Sequence, residues 1–253
     1  MAPGEDNLRC FTITEVRCTA AFKLFALLPE ILSTALTRQR TKGESMASLE
    51  TICADVGSVA KGNFAWWTSE GRTGTAPSTL AAHLVSLLNQ GSRIALGFEC
   101  PLFVPLVEDE AFLTRGRPGE GSRPWSAGAG CGALATGLVE VAWVLQAVRP
   151  QLTVEAVAFV DWEKFVNAPA GLFLWEAFVS GTGKRGSHIA DAQAAGEAFL
   201  RSLPDPTKTN AIHCTSPVYS LAGAALLRTG WSSDLNLLHQ PCLVVRTVAK
   251  TKD

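Results

Sequence analysis

The chain has 253 residues, 47% of them apolar, and 22 Lys and Arg stand against 23 Asp and Glu for a net charge of −1. That much apolar side chain builds a sizeable core and excludes disorder as the main state. A histone-like or coat-like grip on nucleic acid needs a clear basic surplus, so any polyanion must be met by a local basic patch.

Residues 1–45 carry Glu5, Asp6 and Glu15, and Lys23 and Glu30 interrupt their apolar run from Ala20 to Leu36, which fits neither a signal peptide nor a transit peptide. They are expected to form an N-terminal extension dispensable to a core domain at 46–253. Met46 directly before a first apolar strand is what an over-long reading frame would give. A helical extension, from the pattern of Ala21–Leu36 broken near Pro29, would give the same sequence.

From there the pattern predicts a strand at 51–57, a Gly-containing turn at 57–62 and a returning strand at 63–68. A loop at 71–77, with room for a short third strand, leads into a helix at 78–90 and a strand at 93–99 stopped by Pro101. Residues 102–125 read as a long loop rich in Pro, Gly and Arg. The stretch 126–148 is long enough to span a bilayer, but Glu140 within it, its glycines and the lack of aromatic belts favour a buried helix crossing a sheet, with no membrane partner. Strands are expected at 152–160 and 171–179, helices at 188–202 and 217–228, and a last strand at 242–248. A hairpin followed by alternating helices and strands is an α/β domain with a mixed sheet flanked by helices. Seven cysteines without a CxxC pair read as mostly buried thiols of a reducing, cytoplasmic compartment.

Gly181-Thr-Gly-Lys-Arg-Gly186 has the GxGxxG spacing between a strand and a helix. A dinucleotide site needs a further strand ending in an acid, which the following Pro204–Asn210 loop does not supply. It is no P-loop either, because Arg185 follows Lys184. What remains is a turn whose amides and Lys184 can attract a phosphate.

Five residues carry candidate chemistry. Asp55 ends the first strand, as a turn residue or as a ligand on a rigid strand. Glu99 ends the second apolar strand on the side of the small residues Ala95 and Gly97, and needs either a salt bridge to Arg93 or Arg123 or a cation. Asp191 stands in the first turn of the helix capped by Ser187, where an acid also favours the helix dipole. His188 is three residues away on the same helix face. Glu176 interrupts the apolar strand Phe173–Phe178, as a cation's partner or as a further site residue.

The order of these acids, and Gly97-Phe-Glu-Cys-Pro-Leu102 with His188-Ile-Ala-Asp-Ala192, resemble the ribonuclease H-like superfamily over roughly 50–250. The second motif is similar to the H-x-x-D-A helix of Holliday-junction resolvases, and both are similar to a bacterial predicted-nuclease branch of unknown function. The resemblance implies a ribonuclease H-like mixed sheet with Asp55, Glu99 and Asp191 holding two divalent cations, Mg²⁺ or Mn²⁺. Glu176 would be a fourth ligand, His188 a proton carrier or orienter of Asp191, and Lys61 and Lys184 phosphate contacts.

The implied activity is a metal-dependent phosphodiesterase, a nuclease, acting on nucleic acid or another phosphodiester beside the cations Arg115, Arg117, Arg123, Lys184 and Arg185. A ribonuclease H-like interaction protein with no enzymatic role is one alternative. An actin-like or sugar-kinase-like nucleotide binder is another, because Asp55-Val-Gly57 with Lys61 resembles the first phosphate motif of those proteins. The nuclease reading requires the three carboxyl groups to converge within about 4–7 Å.

Overall fold

Two parallel neighbours, β1 (Leu49–Asp55) and β4 (Arg93–Phe98), form the centre of the sheet, in register from Leu49 opposite Arg93 to Ala54 opposite Phe98. The computed structural model describes residues 49–121 and 124–247, so the expectation for 1–45 lies outside the described residues. On one side of β1, β2 (Ala65–Thr68) and the two-residue β3 (Thr73–Gly74) add antiparallel strands. On the far side of β4 lies parallel β7 (Gly171–Phe178). Its outer edge is shared by β6 (Ala158–Phe159) near its start and β9 (Val244–Arg246) at its end, both parallel to it.

Alternation decides what each face of this sheet buries. Ile52, Ala54, Ile94, Leu96, Phe98, Leu172 and Leu174 belong to one core cluster, together with Leu80, Leu84 and Leu88 of α1 (Pro77–Asn89) and Val141, Val144, Leu145 and Val148 of α2 (Gly128–Val148). Cys53, Ala95, Phe173 and Trp175 belong to a second cluster, with Trp162 and Phe165 of α3 (Trp162–Val166) and Ala195, Ala198 and Phe199 of α4 (His188–Ser202). The sheet is therefore a mixed layer between helices. The small residues on the α4 side make room for large aromatics. A Cβ at Gly97 would come within 2.4 Å of the Trp175 indole, which stacks on Phe199 at 4.7 Å between centroids. A Cβ at Gly196 would meet Trp67 at 2.5 Å.

By length and composition alone, the helical stretch Gly128–Gln151 is long and apolar enough to cross a bilayer. The expected buried helix is instead largely a surface helix: only Gly137, Val141, Val144, Leu145 and Val148 are buried, while Leu138, Val139 and Trp143 lie on the surface. Two predicted elements are shorter than the sequence suggests. Of the strand expected at 152–160 only Ala158–Phe159 pairs with β7, because β9 takes the rest of that edge. The helix expected at 217–228 starts later, as α5 (Leu221–Arg228), capped by the Ser220 hydroxyl. The residues before it form β8 (Val218–Ser220), antiparallel to β5 (Phe103–Pro105). That pairing turns part of the expected 102–125 loop into structure.

Candidate metal centre

Asp55 is the last residue of β1 and shares the α4 face of the sheet with Cys53. Glu99 follows β4 directly, and its amide donates to the Ala54 carbonyl at 2.8 Å, which continues the β1–β4 pairing and sets Glu99 beside Asp55. Asp191 lies in the first turn of α4, where the Ser187 hydroxyl accepts the Ala190 amide at 3.3 Å and the Asp191 amide donates to the Ser187 carbonyl at 2.9 Å. The unpaired amides of a helix start favour a carboxylate there. The result is that one carboxylate oxygen from each of Asp55, Glu99 and Asp191 lies within 4.8 Å of the others. These are the three residues that sequence reasoning placed at a metal.

The electrostatics of this cluster are strained toward proton or cation uptake. Burial raises the Asp55 pKa above the ordinary aspartate value, against the opposing pull of His188, whose Nδ1 lies 2.6 Å from Asp55 Oδ2. Burial, and then the neighbouring Asp55 charge, push Glu99 up to about 9. Glu99 Oε2 is buried and has no hydrogen-bond partner among the described residues. Asp191 is better served, with Lys184 Nζ 3.2 Å from Oδ2 and the Arg185 amide donating to Oδ1. An orphaned carboxylate oxygen among oxygen-only donors fits a hard divalent cation. The same donors would suit a soft metal poorly.

The cluster opens into a cleft of about 340 Å³ at the C-terminal ends of β1, β4 and β7. Ligands commonly bind at this end of parallel strands. The opposite wall is the first half of α2, where Ala129, Gly130, Gly132, Ala133 and Thr136 leave the floor open.

The other candidate residues divide between the cleft wall and positions away from it. Glu176 borders the cleft, but it alternates with Leu172 and Leu174 and so faces away from Asp55 and Glu99. Both its oxygens are engaged: Arg117 donates to them at 2.6 and 2.8 Å, and the Leu102 amide donates at 2.9 Å. Arg117, expected to meet a polyanion, is 2% exposed and is also paired with Glu120 at 2.9 Å, so it serves the interior. Arg115 is exposed and lies 5.1 Å over the Phe112 ring, while Arg123 lies outside the described residues. Lys61 is exposed on the short turn Val59–Lys61 and does not line the cleft. Lys184 and His188 do line it, and His188, expected to orient Asp191, has its Nδ1 on Asp55 instead. Glu99 takes Lys184 as its salt-bridge partner at 3.6 Å. Arg93 stands at the opposite end of β4, donating to the Val166 carbonyl at 3.1 Å.

One contributor was missed in the sequence. Glu140 accepts the Gly57 amide at 3.2 Å and ties the turn after Asp55 to α2. Its signal was available: it is the lone charge in an otherwise apolar helix, and such a group needs a partner.

No family model matches the chain, and neither a curated protein nor a solved structure matches it.

Proposed function

We propose that this chain is a divalent-metal-dependent phosphodiesterase, a nuclease of ribonuclease H-like architecture. The observation that carries the reading is the convergence of Asp55, Glu99 and Asp191 within 4.8 Å, with Asp55 and Glu99 lining an open cleft. The architecture supports it, because antiparallel strands β1, β2 and β3 join parallel β4 and β7, with acids at the end of the first strand, directly after the fourth and at the start of a late helix.

In this reading Asp55, Glu99 and Asp191 hold Mg²⁺ or Mn²⁺. Such ions, when bound, polarise a phosphoryl oxygen and lower the pKa of water. The protein's own groups do the rest. The β1–β4 pairing fixes two carboxylates and the first turn of α4 fixes the third. His188 orients Asp55 through Nδ1 and can carry a proton on its other ring nitrogen. The small residues of α2 admit the substrate backbone to the cleft, and burial of the site strengthens each charge contact within it.

The actin-like nucleotide reading finds less support. Its hairpin amide at Gly57 is already donated to Glu140, and a Cβ there would lie 2.5 Å from the Asn63 carbonyl oxygen, so this turn is closed onto the protein.

Calorimetric titration with Mn²⁺ tests the proposal. The wild type should bind, and Asp55→Asn should lose most of the affinity while keeping its fold. Cleavage of single-stranded, duplex and branched nucleic acids and of a small phosphodiester then identifies the substrate. Absence of Mn²⁺ binding by the wild type would overturn the reading.

A further inference from the structure

The ammonium group of Lys184 stands against the metal-binding oxygens themselves. Its Nζ lies 3.2 Å from Asp191 Oδ2 and 3.6 Å from Glu99 Oε1. Burial works against its charge, yet Glu99, Asp191 and Asp55 together hold its pKa above the ordinary lysine value. In the absence of a metal this ammonium offsets the charge of Asp191 and Glu99, as His188 stands beside Asp55.

The side chain is free to leave while its backbone is not. The Lys184 amide donates to the Gly181 carbonyl at 3.2 Å, and the next amide, of Arg185, donates to Asp191 Oδ1. The turn is thus pinned to the start of α4. The lysine side chain remains 41% exposed and lines the open cleft, so rotation about its own bonds moves the ammonium several ångströms without disturbing the turn. Charge arithmetic supplies the motive. Three carboxylates carry at most three negative charges, and two divalent cations bring four positive ones. An ammonium held among the same oxygens is then repelled, and is attracted instead to an anion in the cleft.

We propose that Lys184 is a tethered counter-cation that competes with the divalent metal for Asp191 and Glu99, is displaced when the metal binds, and is thereby delivered to the cleft as a contact for the substrate phosphodiester. The inference rests on the metal-dependent reading above. It implies that the protein weakens its own metal affinity until substrate is at hand, since the anion that receives the lysine also favours the metal-loaded cluster.

The test is Mn²⁺ titration of the full chain, without substrate, for wild type, Lys184→Met and Lys184→Gln. Both variants should bind about tenfold more tightly than wild type, the gain expected from removing one competing charge at this range. Equal or weaker binding by the variants overturns the competition and leaves the metal site standing. Absence of binding in all three overturns the metal reading and the inference together. Should the variants fail to fold, acylation of amines in the wild type, read by mass spectrometry, gives the second measurement. Mn²⁺ should speed modification of Lys184 several-fold and leave Lys61 unchanged. An unchanged or slower rate at Lys184 overturns the displacement.

Discussion

The hydrogen bond from the Glu99 amide to the Ala54 carbonyl, 2.8 Å long, makes the closeness of two acids a property of the backbone. Residue 99 sits beside residue 55 because β1 and β4 are paired, and both side chains emerge on the face covered by α4. The repulsion between them is therefore built into the sheet, and rotamer changes relieve little of it. Sites that bind cations commonly carry such repulsion in the free protein.

This arrangement predicts a pH dependence of definite sign. Glu99 titrates near 4.5 in an unfolded chain and at about 9 in the folded one, so the folded state holds an extra proton between these values. Its contribution to stability is full below about 4.5 and is lost as pH rises through about 9. Asp55, also raised, acts in the same direction. Metal-free protein should lose thermal stability from neutral to alkaline pH. Glu99→Gln should flatten that slope and melt higher than wild type at alkaline pH, while losing the stabilisation that Mn²⁺ gives to wild type. Melting curves across the pH range, with and without Mn²⁺, check this. A Glu99→Gln protein less stable than wild type at alkaline pH would mean that the carboxylate serves the fold.

Much of this site was legible in the sequence, and the reason is periodicity. Ile94, Leu96 and Phe98 alternate with Ala95, Gly97 and Glu99, so the strand announced which face would carry the acid. Ser187 announced the start of α4, and with it the placement of Asp191. The same alternation, followed along β7, would have separated Glu176 from the others, since it falls in step with Leu172 and Leu174 while Trp175 packs on the α4 side. What the sequence could not supply were pairings across long stretches of chain. Arg117 meets Glu176 across 59 residues and Glu140 meets Gly57 across 83, and no local pattern encodes either. β5 and β8 are three residues each and were hidden for the same reason, each being stable only against the other.

Gly97 should prove as sensitive as the acids, for a reason of volume alone. Its missing Cβ is filled by the Trp175 ring, which is fully buried and stacked on Phe199. Gly97→Ala forces the indole or the strand to shift, and overpacking of this kind costs about 1–3 kcal/mol. For a domain of this size that is a fall in melting temperature of about 2–4 °C per kcal/mol. Calorimetric or fluorescence melting measures it. An unchanged melting temperature would mean that Trp175 has another rotamer to move into.

The last prediction separates the interior ion pair from the metal centre. Arg117 is held by Glu176 through two short bonds, by Glu120 Oε1 at 2.9 Å and by the Phe103 carbonyl at 3.1 Å, with its guanidinium 4.5 Å over the Phe103 ring. Arg117→Ala strands two buried carboxylates and should cost about 3–5 kcal/mol, the usual penalty for an uncompensated buried charge. Glu176→Gln should cost less, because the amide oxygen still accepts from Leu102 and Arg117 keeps Glu120. Since Glu176 faces away from Asp55 and Glu99, Mn²⁺ affinity should stay at the wild-type level in Glu176→Gln. Chemical denaturation and Mn²⁺ calorimetry on the same preparations separate the two effects. A folded Glu176→Gln protein that no longer binds Mn²⁺ would make Glu176 the fourth ligand that its place in an apolar strand first suggested, and would require the cluster to rearrange around the metal.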